Sequence, residues 1–459
     1  MTRDLSFCYS GSLKQFLPSG GIERRHMKRF IRDCRPLAGS LKVEMETGEI
    51  EFLNHIRHSR AKREWEPLSE KWRRKSAGMI VIGIGGSSLG ARAIYEALRP
   101  FRDEGLRNLF FFENVDPEAA FMMLKKLDLS RMVINVVTKS GKTIETIANL
   151  LLILDRLKKR QGKGYSSRIA ITTADQNGDL AEFARSNRIP IIPLNENEVG
   201  RYSVLGPAGL LPLRYAGLDI QMLISGAKKM LRRCMNLDDP EQNPAFVYAS
   251  IKRMLDLRGK SIEVIFSYSS LLGPLLAWYA QLLAESSGKR ISIEGRVVNE
   301  GQTPISAIGT LDQHSLLQLL LEGKKDKIVT FWEIERFRRE LRIPEEKSFK
   351  GSFQHIQGKT LGEVLHAEKV GTEYSLRRAG VPCLTISIPV IDEFNLGQII
   401  AFLEMQVFFY CRMAKVNPFG QPGVELGKKV AIEVLSTTLT SGAASKLKKA
   451  HGVKEDFKL

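Results

Sequence analysis

Residues 79–88, MIVIGIGGSS, carry an apolar run straight into a small polar cluster, and residues 132–143, MVINVVTKSGKT, do the same further along. Each run reads as a buried parallel strand, and each cluster opens an amphipathic helix. A Gly- or Ser/Thr-rich turn at a helix N-terminus offers free backbone N–H groups, hydroxyls and the positive end of the helix dipole. Two such turns at the edge of one sheet predict a phosphate site.

Outward from these segments the same alternation continues. Strands read at 79–85, 108–113, 132–137, 168–173 and 189–193, with helices opening at Ser88 and Thr143. After a polar, Pro-bounded stretch at 238–244, DDPEQNP, strands read at 261–268, 327–331 and 382–389, and helices at 272–285, 313–322 and 396–414. The expected fold class is α/β, two doubly wound domains, each a parallel sheet flanked by helices. The limits drawn are an N-terminal lead-in of short helices over 1–45, domains over 46–237 and 238–430, and a basic helical tail over 431–459.

At 459 residues with 43% hydrophobic and 26% charged residues, the chain has ample material for two cores. The net charge of +18 is spread along the chain without a basic arm, and no nucleic-acid motif accompanies it. Such a surface steers phosphorylated metabolites. Cys8, Cys34, Cys234, Cys383 and Cys411 are odd in number and lack CxxC spacing, which argues against a disulfide framework or a zinc site and fits a reducing cytoplasm. The long apolar stretches, 271–284 and 399–414, are broken by polar residues and read as buried helices rather than membrane spans.

Residues 83–88, GIGGSS, approach the dinucleotide-binding pattern GxGxxG, with Glu113 after the next strand as a candidate ribose acceptor. The second cluster has no place in that reading. Alternatively, Ser87, Ser88 and Thr143 serve only as helix N-caps.

The segments VIGIGGSSLGARA, VVTKSGKTIET, EVGRYSVLGPAGLLPL, AESSGK, LDQHSLLQL and FGQPGVELGKKVA occur in this order. The set resembles the phosphoglucose isomerase family over about residues 75–432. The resemblance implies two SIS-type (sugar-isomerase) domains and a cytoplasmic aldose–ketose isomerase needing neither metal nor cofactor. Its substrates would be glucose 6-phosphate and fructose 6-phosphate, in glycolysis and gluconeogenesis, with a cis-enediol intermediate. It further implies a homodimer with active sites at the subunit interface, a small-molecule sugar phosphate as partner, and no role for nucleic acid or membrane.

Residue by residue, the resemblance makes Glu285 the base that moves a proton between C1 and C2. The sequence places it in the last turn of an apolar helix, with Gly288 as the expected stop. His314 and Lys428 match the ring-opening residues, His314 reaching in from the partner subunit. Asp312 is the expected N-cap of the helix that carries it. Arg201 matches the arginine that offsets enediolate charge. Thr138, Lys139, Ser140 and Thr143 match the phosphate cradle, Gly86 and Ser87 line the sugar, and Gln421 lies on the phosphate side. The chain departs from the family at Lys142, Val199 and Gly420, positions that bear on affinity more than on reaction class. A sensor that binds sugar phosphate without turnover is the rival of a different kind, and it has no need of Glu285, His314 or Lys428.

Overall fold

The structure, a computed structural model, describes residues 4–48, 50–58, 62–101, 105–348, 351 and 353–437. Strand β1 (Ser6–Cys8) is followed by α1 (Arg24–Asp33), α2 (Arg35–Glu46), α3 (Glu51–His58) and α4 (Lys62–Lys75). Alternation then begins with β2 (Gly78–Ile82), α5 (Leu89–Leu98), β3 (Asn108–Phe112), α6 (Pro117–Lys126), β4 (Met132–Val137) and α7 (Ile144–Gln161). It continues through β5 (Ile169–Thr173), α8 (Asp179–Ser186), β6 (Ile191–Pro193), α9 (Pro207–Ala216) and α10 (Ile220–Cys234).

The second half runs α11 (Pro244–Asp256), β7 (Ile262–Ser267), α12 (Gly273–Ser287), a hairpin of β8 (Lys289–Ile291) and β9 (Val297–Glu300), and β10 (Thr303–Ile308). Then come α13 (Leu317–Glu322), β11 (Lys327–Ile334), α14 (Leu361–Arg378), β12 (Cys383–Ile388) and α15 (Glu393–Met413). The chain divides into two compact bodies, one ending at Pro418 and one starting at Phe419. The second contains α16 (Glu425–Thr437). The rest of the expected C-terminal tail, 438–459, lies outside the described residues.

The first sheet is wholly parallel in the order β3-β2-β4-β5-β6. The parallel part of the second, β10-β7-β11-β12, repeats that winding with one strand fewer. Its last edge is filled by β1, paired antiparallel to β12. The α/β expectation therefore holds, with two differences. β10 was not anticipated because TPISAI carries a Pro and lies half-exposed at an edge. β1 was not anticipated because its pairing partner lies near the other end of the chain.

Alternate residues give each sheet its core. Ile80, Ile82, Ile134, Val136, Ile169 and Ile171 pack under Leu150, Ile153 and Leu157 of α7. Val264, Phe266, Val329 and Phe331 pack with Leu320 and Leu376. In α15 apolar residues run round the whole circumference, and 94% of its most apolar stretch is buried. By length and composition this helix passes the test for a membrane span, yet it is a core helix packed by α10, α11 and α12.

The α10–α15 crossing is backbone on backbone. A methyl on Gly397 would stand 1.9 Å from the Leu223 carbonyl oxygen, and one on Gly226 would stand 1.8 Å from that of Phe394. Gly397→Ala is expected to cost ~1–3 kcal/mol or more by forcing the helices apart. Gly371→Ala in α14, where nothing lies within 4 Å, is expected to be neutral or slightly stabilising. Denaturant unfolding of the two variants side by side checks the contrast.

Candidate active site

The first sheet reverses its winding between β2 and β4, so the loops leaving their C-terminal ends diverge and open a crevice. These loops are the two clusters of the sequence. Ile82 pairs with Val136, and a methyl on Gly83 would fall 3.0 Å from the Val137 carbonyl oxygen, so the clusters begin side by side.

In the cluster after β4, Thr138 is buried and its hydroxyl lies 3.2 Å from that of Thr143. Lys139 is held by its backbone, the carbonyl accepting from Ala174 and Asp175 N–H, while its side chain is exposed. The Ser140 hydroxyl accepts from the Lys142 N–H, and Gly141 turns the chain at a φ of 66°. The N–H groups of Ser140 and Gly141 have no acceptor among the described residues. Thr143 precedes α7 without a side-chain capping bond, which leaves its hydroxyl to other work. The Lys142 side chain is exposed.

The cluster after β2 is arranged differently. Ser88 stands at the N-cap of α5 but does not cap it, and its hydroxyl donates to Glu113 at 2.6 Å. Arg92 takes the other carboxylate oxygen of Glu113 at 2.8 Å. Ser88 and Arg92 thus tie one oxygen each of Glu113 to α5, a role the dinucleotide reading did not give it. Ser87 is half-buried. Gly86 is there for close approach: a methyl on it would stand 2.2 Å from the Gly200 carbonyl carbon and 2.4 Å from the Arg201 nitrogen.

That contact places Arg201, whose side chain is 1% exposed. Nε donates to the Ser286 hydroxyl at 2.8 Å, Nη1 to Glu285 Oε2 at 3.2 Å and Nη2 to the Pro418 carbonyl at 2.5 Å. A guanidinium this deeply buried needs such partners, and they fix where its charge points. Val199 before it is extended, with φ −110° and ψ 119°, so the chain needs no glycine there.

Glu285 sits in the last turn of α12, its side chain 32% exposed. Gln281, one turn earlier, donates to its other oxygen at 3.0 Å. Lys289, one turn later, donates to the carbonyls of Glu285 and Ser286 and closes the helix end. Burial, and next the charge of Arg201, push the Lys289 pKa down to about 8. Gln281, Ser286 and Lys289 were given no role from the sequence; Ser286 and Lys289 lie in the AESSGK segment, and Gln281 is signalled only by its spacing to Glu285. The helix stops at Gly288, but in extended backbone at φ −68°, not in the left-handed turn expected of a terminating glycine.

His314 departs from expectation. It ends a four-residue 3₁₀ turn, Leu311–His314, and α13 starts only at Leu317. Asp312 caps no helix: its carboxylate accepts from the Ile308 N–H at 2.7 Å and the Ser315 hydroxyl at 2.7 Å. The His314 side chain is exposed and has no hydrogen-bond or ion-pair partner among the described residues. Gln421 and Lys428 belong to the C-terminal body. There Lys428 is exposed and lies 2.8 Å from Glu425, and Gly420 takes a φ of 70° that favours glycine. The structure thus joins Gly86, Arg201 and Glu285 by direct contact beside the cradle strand. It does not join His314 to them.

Behind the Arg201 turn, His55 lies 3.4 Å from Glu198, and both side chains are buried. Phe52 stacks on Tyr202 with ring centroids 4.9 Å apart. Burial disfavours the imidazolium, but Glu198, and beyond it Glu51, outweigh burial and raise the His55 pKa above 6.5. A raised folded-state pKa gives stability that is complete below the unfolded value and lost as pH rises through the folded one. The thermal midpoint is expected to fall by about 1–3 °C across that window. His55→Gln should flatten the slope, and midpoints measured from mildly acidic to mildly alkaline pH check it.

Two polar turns at a sheet crevice, with a buried guanidinium and a carboxylate alongside, make an α/β protein with its polar groups gathered at the switch point of the first sheet. The family model for phosphoglucose isomerase matches residues 64–451, and the chain belongs to that family. It is 37% identical over 405 residues to a glucose-6-phosphate isomerase of Carboxydothermus hydrogenoformans, covering 86% of this chain and 87% of that one. It is 35% identical over 435 residues to one of Rubrobacter xylanophilus, covering 93% and 97%. In fold it is similar to a hypothetical protein of Thermus thermophilus, with a TM-score of 0.82, 29% identity and coverage of 94% and 99%. It is similar also to a Chlamydia trachomatis glucose-6-phosphate isomerase, with a TM-score of 0.81, 21% identity and coverage of 98% and 92%.

Proposed function

We propose that this chain is a glucose-6-phosphate isomerase, interconverting glucose 6-phosphate and fructose 6-phosphate through a cis-enediol(ate). The observation that carries the reading is the Arg201–Glu285 contact, 3.2 Å, held beside the Gly86 turn at the sheet crevice. Glu285 takes the proton from one carbon and returns it to the other. On taking it the carboxyl becomes neutral, and the Arg201 charge is released to the enediolate oxygen as negative charge develops there. Thr138, Lys139, Ser140 and Thr143 hold the phosphate, Gln421 assists them, and Gly86 and Ser87 face the sugar. Anchoring the non-reacting end in this way positions C1 and C2.

His314 and Lys428 open the ring, and His314 does so for the partner subunit of a homodimer. Support for the dimer comes from the exposure of His314 in a segment where Leu311 and Leu319 are also left 70% and 49% exposed. The domain limits 46–237 and 238–430 belong to the same proposal. So does a place in the cytoplasm, in glycolysis and gluconeogenesis, which the five free cysteines fit. The test is incubation of the purified protein with fructose 6-phosphate in D₂O, followed by NMR. Glucose 6-phosphate deuterated at C2 is expected. Binding of fructose 6-phosphate without turnover would make the protein a sensor instead.

A further inference from the structure

The edge of the first sheet opposite the crevice is a basic cleft. Arg107 leads into β3, Arg131 into β4 and Arg168 into β5, while Arg74 and Lys75 end α4. Because the strands are parallel, these lead-ins gather on one edge, where with Ser76, Ala77 and Ser130 they line a cavity of about 320 Å³. A neighbouring cavity of about 410 Å³ shares Arg74 and Arg107 and adds Arg73. The one carboxylate lining either, among the described residues, is Glu70, and Arg214 neutralises it at 2.7 Å. Asp128, near Arg131, is turned to Ser130 and Arg160.

A solvated basic surface would explain part of this. Cations in the last turn of α4 offset its dipole. That account does not reach Arg107, Arg131 and Arg168, which come from three separate lead-ins to a common hollow. Nor does it explain why Arg74, Lys75 and Arg107 have no ion-pair partner among the described residues. Like charges crowded round a concavity repel one another, and an anion carrying several charges removes the repulsion. The cleft has the volume of a small-molecule site, and among the described residues no aromatic side chain lines it to stack a base.

We infer that this cleft binds a compact polyphosphorylated anion through its phosphates, at a site separate from the crevice. Arginine forks suit phosphate oxygens.

Calorimetry with tripolyphosphate at physiological salt, in the presence of saturating fructose 6-phosphate, tests it. Binding is expected to persist beside the sugar phosphate and to exceed that of orthophosphate. Arg107→Glu/Arg131→Glu should weaken it by about tenfold or more per residue, with turnover unchanged. Arg74→Gln/Arg107→Gln should give the same loss if the charge-reversed chain fails to fold. ATP binding more tightly than tripolyphosphate would place the phosphates on a nucleotide; equal binding would place them on a free polyphosphate. Four results would overturn the assignment: no binding by the wild type, displacement by fructose 6-phosphate, unchanged binding in both variants, or tighter binding of a duplex oligonucleotide.

Discussion

Glu285→Gln is expected to reduce kcat by about a thousandfold while sugar-phosphate affinity changes by less than about threefold. The substitution keeps volume and leaves a carbonyl oxygen to accept from Arg201, whose Nη1 lies 3.2 Å from the carboxylate. Ser286 and the Pro418 carbonyl continue to hold the guanidinium, at 2.8 and 2.5 Å, so the site keeps its shape. Basicity is removed together with the charge facing Arg201, and the Gln281 amide has to turn over to accept from the new NH2 in place of donating to Oε1. Loss of a positioned base typically costs 10²–10⁴ in rate, and the single base proposed here serves both carbons, so both directions of the reaction should fall together. Steady-state rates from both sugars, C2 deuterium incorporation and calorimetric affinity check the three parts. A variant keeping more than about a tenth of wild-type turnover would place the base elsewhere.

The sequence was informative where local patterning suffices. Buried runs such as MVINVV read as strands because all but Asn135 are apolar, and the turns after them carry the residue types of an anion site. Strand order is not local. That β2 lies between β3 and β4, and so places both turns at one crevice, depends on pairing between distant segments. The surroundings of Glu285 were hidden for a related reason. Gln281 and Lys289 are ordinary residues of a helix and its exit, and their part is visible only once the end of α12 meets the Arg201 turn. The helix start at Asp312 was misread because its carboxylate closes the preceding strand end through the Ile308 N–H and leaves α13 to begin later. Aspartate serves turns and caps equally well.

Gly86→Ala is expected to cost less in rate than Glu285→Gln but to lower stability as well, and to act by displacement rather than chemistry. Its added methyl would stand 2.2 Å from the Gly200 carbonyl carbon and 2.4 Å from the Arg201 nitrogen. Both are backbone atoms, so no side chain can swing aside. The turn carrying Arg201 has to retreat by an ångström or so, and its guanidinium is fixed to Ser286, Glu285 and Pro418 on the far side. A shift of that size typically costs on the order of 10² in rate, and overpacking of a rigid contact costs ~1–3 kcal/mol. A fall of about a hundredfold or more in kcat/KM is therefore expected, with a thermal midpoint lower by several degrees. Ser87→Ala on the same turn removes one hydroxyl from a half-buried position and adds no bulk. Its loss should be confined to KM and the midpoint should hold. If Ser87→Ala proved the more damaging of the two, the turn would act through its hydroxyl, and the close packing of Gly86 on Gly200 would not be what places Arg201.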